Sequence, residues 1–263
     1  MPSNSSLALP APMLADFAIR LAGGLALFLV PTPWRVVPPR FFRTHCQVIL
    51  GLWVLAALDL ARAGDDRFAT AMAIAAAAGA YLAGVAWGLG LPRLGLPLAA
   101  GLAGASGLLL ARNAGVAGAP VWLGGLQVAA RWSSSALLGS TLTAMLLGHY
   151  YLIAPAMTID PLKKLVRWMA WSLGVRGAVA AAGLAIWLGG RGPVAGATVG
   201  PLFAAMRWGM GLLGPALATW MAWETVRIRS TQSATGILYI AITLVLFGEL
   251  TALVLGRGTG LVF

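Results

Sequence analysis

The amino-acid sequence predicts an all-α, polytopic integral membrane helix bundle of about eight transmembrane helices. Three observations predict it. Only 10% of the 263 residues are charged and 60% are hydrophobic, whereas a soluble domain carries roughly 25% charged residues. The mean hydropathy is +0.87. The apolar residues fall in runs of about 20, the length a helix needs to cross a bilayer, and short segments rich in Arg, Pro and Gly separate them. A chain with so few charges has too little polar surface to cover itself in water. Lipid removes that need, and the whole chain reads as a single transmembrane domain.

The spans follow from the apolar runs. The first covers about Asp16 to Val30 and ends at Pro31 and Pro33, whose rings stop the backbone ladder. The second covers Phe41 to Arg62, and the third Arg67 to Gly90 through a long alanine tract. The fourth, Leu94 to Arg112, is short and glycine-rich. The fifth runs from Trp132 to Ile153 and stops before Pro155. The stretch Val121 to Ala130 reads either as a separate interfacial segment or as an early extension of the fifth span. The sixth, seventh and eighth spans cover Leu162 to Leu188, Gly200 to Val226 and Ser233 to Gly256.

Small residues let membrane helices approach closely. Gly79 with Gly84, and Gly101, Gly104 and Gly107, read as such surfaces; compositional bias toward Gly and Ala in a lipid-facing helix is the competing reading. Phe17-Ala-Ile-Arg20 and Phe203-Ala-Ala-Met-Arg207 open the first and seventh spans alike. That similarity reads as a distant internal repeat or as coincidence in a low-complexity apolar sequence.

The formal net charge is +11. In a soluble protein it would suggest a nucleic-acid partner, but here the basic residues lie in short loops without a basic helix or interleaved aromatics, which excludes nucleic acid. They serve topology and contact with anionic lipid. The segments after the first, third, fifth and seventh spans hold Arg35, Arg40, Arg43, Arg93, Lys163, Lys164, Arg167, Arg227 and Arg229. The other side holds Arg62, Arg67, Arg112, Arg131, Arg191 and Arg257. Nine against six places the first side in the cytoplasm and both termini outside. No positive n-region precedes the first apolar run, so no cleaved signal peptide is expected. Arginine far outnumbers lysine, which fits a GC-rich bacterial genome and a bacterial inner membrane.

Polar groups inside spans carry the functional information, because each is costly in lipid. The two histidines lie in Arg43-Thr-His-Cys-Gln47 and Gly148-His-Tyr-Tyr151. His45 opens the second span and His149 closes the fifth. The number of crossings puts both at one membrane face, with Tyr150, Tyr151, Glu224, Arg227, Arg229 and Gln232. Three readings of this face stand together. His45 and His149 could ligate the iron of a b-type haem. The cluster could hold a quinone head group. The residues could simply anchor helix ends at the interface.

Deeper in the bilayer lie Arg176 and Glu249, with Arg20, Arg207 and Asp59 toward the outer side. Arg176 needs a carboxylate, carbonyls, water or an anionic group, and Glu249 can pair with Arg207. These charges read either as an internal ion pair that fixes helix register or as part of a proton or ion path. The hydroxyls Ser133, Ser134, Ser135, Ser140, Thr141 and Thr143 mark the fifth span as central, so His149 is expected to face inward.

The single cysteine, Cys46, permits no intrachain disulfide, and no CxxCH site for covalent haem is present. Neither a phosphate-binding GxxxxGK[ST] nor a hydrolase HExxH or GxSxG motif occurs. The leading expectation is a non-catalytic membrane subunit of an electron-transfer or quinone-linked respiratory complex, with other subunits and lipid as partners. The alternatives are a small-molecule or ion transporter using Arg176 and Glu249, and an assembly subunit without a site of its own.

Overall fold

The computed structural model describes residues 12–64, 66–112, 121–154, 156–189 and 201–259. Pro155, Arg191, Gly200 and the stretch before Pro12 lie outside the described residues. The described residues form eight helical rods and no strand. They are α1 Met13–Leu29, α2 Pro39–Ala63, α3 Arg67–Gly88, α4 Pro92–Arg112, α5 Val121–Ile153 and α6 Asp160–Leu188. The seventh rod joins α7 Pro201–Trp208, a π turn Gly209–Leu213 and α8 Gly214–Arg227; α9 Thr231–Thr259 is the last. Six helices (α2 to α6 and α9) are long and apolar enough to cross a membrane. This is a multi-pass membrane helix bundle.

Local chemistry sets the helix ends. Proline stands at the first turn of α2, where a missing N–H costs nothing. The α2 ladder closes on Gly64, whose φ of 74° is a left-handed cap, and its N–H donates to the Leu60 carbonyl. Asp66 caps α3 by accepting from the Ala69 N–H at 2.9 Å. Its partial burial opposes ionisation, but the Ala69 amide and Arg112, 2.9 Å away, outweigh this and hold the carboxyl below its usual range.

The connections alternate between two ends of the bundle, and cross-helix contacts fix the register. At the end where α1 starts, the Ala15 N–H donates to Asp59 of α2 at 2.8 Å and Arg112 of α4 meets Asp66. At the other end, Lys164 donates to the Pro31 carbonyl at 3.0 Å, and the Phe41 and Tyr150 rings meet at 6.1 Å. The second end carries the nine cationic residues counted above and is called the basic end.

Helices α1 and α5 form the centre. α1 is buried on nearly every face, as a helix surrounded by other helices must be. Its Gly24 lies against Gly139 of α5 so closely that a Cβ on Gly139 would stand 2.1 Å from the Gly24 carbonyl carbon. The alanines of α3 pack on α2, and Trp87 stacks on Phe42 at 4.1 Å. Trp87 leaves room at Gly95 only for a hydrogen, since a Cβ there would be 2.5 Å from its Nε1.

The structure settles one sequence alternative and corrects another. Val121 to Ala130 is the start of α5, a 33-residue helix about 50 Å long. Gly101 and Gly104 do not form a packing surface, because a Cβ on either meets nothing within 4 Å. Close approaches occur instead at Gly24, Gly139, Gly211 and Gly248. Spacing alone does not tell which side of a glycine-bearing helix faces a neighbour.

Candidate functional site: a buried ionic network

At the basic end the structure gives each expected residue its own neighbours. His45 is 1% exposed. Its Nδ1–H donates to the Phe41 carbonyl at 2.9 Å and its ring packs on Phe41, 4.1 Å between centroids. Its Nε2 is buried without a hydrogen-bond partner among the described residues. Tyr150 reaches the same group through Phe41. His149, one residue earlier on α5, points about 100° away. It is exposed beside α9, its Nδ1 3.2 Å from the Tyr239 hydroxyl. The expectation that His149 faces inward is therefore corrected: α5 is central, but His149 falls on its outer side.

The two imidazoles share the basic end, as the crossing count requires, yet they do not form a facing pair. Glu224 and Arg227 pair with each other at 3.2 Å on the exposed surface of α8. Arg229, at φ 60°, and Gln232 are exposed in the turn into α9. These residues lie at one end without converging on one pocket. Tyr151 does other work, donating to the Thr158 carbonyl and pinning the turn between α5 and α6.

The polar residues that do converge lie in the opposite half of the bundle. Arg176 is the 17th residue of α6, about 24 Å along its axis from the basic end. Its Nε and Nη2 donate to the two Glu249 oxygens at 2.9 and 3.0 Å. Arg207 of α7 donates through Nη1 to Glu249 Oε1 at 3.3 Å. The arginines are each 1% exposed and Glu249 is 0% exposed. Two-point pairing of planar guanidinium and carboxylate is the strong form of this contact.

A second ionic group sits beside the first. Arg20 of α1 meets Asp16 one helical turn earlier at 2.7 Å, and Arg131 of α5 approaches Asp16 at 3.4 Å. Ser134 of α5 stands close to both groups: its hydroxyl is 3.4 Å from Arg20 Nη1 and its side chain neighbours Glu249. Ser135 donates to the Arg20 carbonyl at 2.7 Å. The two groups together draw on α1, α5, α6, α7 and α9. Among the described residues, each group holds two guanidiniums and one carboxylate, a surplus of one positive charge.

The helices create this site through two backbone features. The π turn adds one residue to the rod directly after Arg207 and Trp208. Gly211 in that turn lies against Gly248, the residue before Glu249. A Cβ on Gly211 would stand 2.5 Å from Arg207 Nη1. Sequence reasoning placed Arg176, Arg207 and Glu249 but missed Asp16 and Arg131 as members. The signal for Asp16 is its spacing of four from Arg20 on an otherwise uncharged span. Arg131 stands two residues before the serine run of α5.

On the outer surface, a groove of about 340 Å³ lies between α2 and α3 near the basic end, with Arg43, Gln47 and Tyr81 among its lining residues. Among the described residues, no group of three or more His, Cys, Asp or Glu side chains is arranged to hold a metal ion.

The fold and the buried network define a polytopic α-helical membrane protein with a charged interior. Compared with known proteins, the chain matches no family model, no curated protein and no solved structure.

Proposed function

We propose that this chain is a membrane carrier for a small charged solute, with Arg176, Arg207 and Glu249 as its handling site. The observation that supports it is the presence of two neighbouring ionic groups, drawn from five helices, in the bundle interior. A single ion pair would suffice to fix helix register. Two neighbouring groups, each with more guanidiniums than carboxylates, give a solute or proton a succession of partners. Glu249 is shared by two guanidiniums, so a competing charge at either one redistributes the pairing without leaving an arginine stranded. Charges held at this depth usually mark ion or substrate paths in membrane proteins.

The test is uptake into proteoliposomes holding the purified protein. Glu249→Gln is expected to abolish flux, while Glu249→Asp retains part of it; thermal unfolding of both variants verifies that they are folded. Flux unchanged in a folded Glu249→Gln protein overturns the reading.

One observation favours a second reading, that of an electron-transfer or quinone-linked membrane subunit. The Nε2 of His45 is a buried acceptor without a partner among the described residues, and neutral imidazole is a common haem ligand. The separate surroundings of His149 leave His45 as the one candidate ligand of the pair. A b-type Soret band in the purified protein that disappears in His45→Ala supports this reading; a spectrum without that band removes its haem form.

A further inference from the structure

We infer that the handling site takes a carboxylate-bearing solute, and that the Nε and Nη2 edge of Arg207 is the group that grips it. The inference rests on the carrier reading and names the substrate class of that site. Its basis is a comparison between the two guanidiniums that share Glu249.

Arg176 holds the Glu249 carboxylate side-on, through Nε to one oxygen and Nη2 to the other. Arg207 spends only Nη1 on Glu249. Its own side-on edge, Nε and Nη2, is buried and has no hydrogen-bond partner among the described residues. A guanidinium edge buried this deeply without acceptors is unfavourable, because each of its donors has lost its hydration and gained no acceptor in exchange. The edge is the same one with which the neighbouring arginine binds a carboxylate, and it has the two-point geometry that such a group matches.

Charge points the same way. The group of Arg176, Arg207 and Glu249 carries one excess positive charge, which a monocarboxylate neutralises. Its location adds an independent observation. Arg207 lies two residues before the π turn, and π turns inserted in α-helices occur frequently at functional sites. Gly211 in that turn keeps the backbone against Arg207 Nη1, where any side chain would collide. The turn thus brings its backbone close to Nη1, the nitrogen that Arg207 gives to Glu249.

The experiment measures thermal unfolding of the purified full chain in detergent, titrated with benzoate and, in parallel, with benzamide and chloride. Benzoate is expected to raise the midpoint saturably, while benzamide of the same shape and chloride at equal ionic strength do not. Arg207→Lys keeps the charge and loses the two-point edge, so its benzoate affinity is expected to fall at least about tenfold. Thr44→Ala, an exposed change at the basic end, is expected to bind like the wild type and controls for nonspecific effects. Equal shifts with benzoate and benzamide, or unaltered benzoate affinity in folded Arg207→Lys, overturn the inference and mean that the edge is met by water. Benzoate binding without flux would overturn the carrier reading and leave this site standing. Flux without carboxylate binding would do the reverse.

Discussion

A Cβ added to Gly248 would lie 2.0 Å from the Cα of Gly211, so α9 and the π turn meet backbone against backbone. This contact places Glu249 beside Arg207. Neither atom at the contact belongs to a flexible side chain, so no rotamer change can relieve an added methyl. Gly248→Ala is expected to destabilise the protein by at least about 1–3 kcal/mol, the range for overpacking, and to separate α9 from α7. Gly236→Ala, on the same helix where an added Cβ meets nothing within 4 Å, is expected to be neutral or slightly stabilising. Unfolding of the purified variants in mixed micelles measures both, and equal stability of the two would contradict the contact.

The sharing of one carboxylate by two arginines predicts an asymmetry. Glu249→Gln takes the shared carboxylate from two buried guanidiniums, whereas Arg176→Gln leaves Arg207 paired with Glu249. Breaking a buried pair costs about 3–5 kcal/mol. The loss for Glu249→Gln is expected to reach that range and to exceed the loss for Arg176→Gln. The double variant should be less destabilised than the sum of the singles, as read from a double-mutant cycle.

Asp66 predicts a pH dependence outside the membrane. Its folded carboxyl titrates below the ordinary value of 3.8. A depressed carboxylate adds stability above its unfolded value and loses it as pH falls through the folded one. Asn caps a helix about as well as Asp, so Asp66→Asn removes mainly the charge. The wild type is expected to exceed this variant by under about 1 kcal/mol at neutral pH, since the Arg112 pair is partly exposed. The difference should shrink as pH drops below 3.8; a constant difference in unfolding midpoint would refute the assignment.

The alternating ends predict a labelling pattern. In a Cys46→Ser background, single cysteines at Arg40 and Arg229 should react with an impermeant maleimide from one side of the membrane. Cysteines at Arg62 and Arg112 should react from the other. The positive-inside rule predicts that the basic end faces the cytoplasm, so Arg40→Cys should label only after the cells are opened. Labelling of all four from one side would break the eight-rod topology.

Much of the fold was legible because lipid imposes its demand on one residue at a time. The alanine tract of α3 and Pro31 after α1 each announced a span or its end. The crossing count also placed His45 and His149 at one end, since parity depends only on the number of spans. The need of Arg176 for an anionic partner, and the capacity of Glu249 to pair with Arg207, could likewise be read from charge and depth. The convergence of the polar end into a pocket could not be read correctly. His149 and Tyr150 are neighbours in sequence, yet one turns to α9 and the other to α2.

By itself the sequence determined that this protein is a helix bundle in a membrane, roughly where each helix begins and ends, and which residues share an end. Those properties follow from local solvation: an apolar run of sufficient length must pair its own backbone groups wherever it sits in lipid. Only the tertiary structure decided which buried groups meet. Joining Asp16 to Arg131, or bringing Glu249 under two arginines, depends on the rotation of each helix about its axis. That rotation is set by contacts such as Gly24 with Gly139 and Gly211 with Gly248, between residues far apart in the chain.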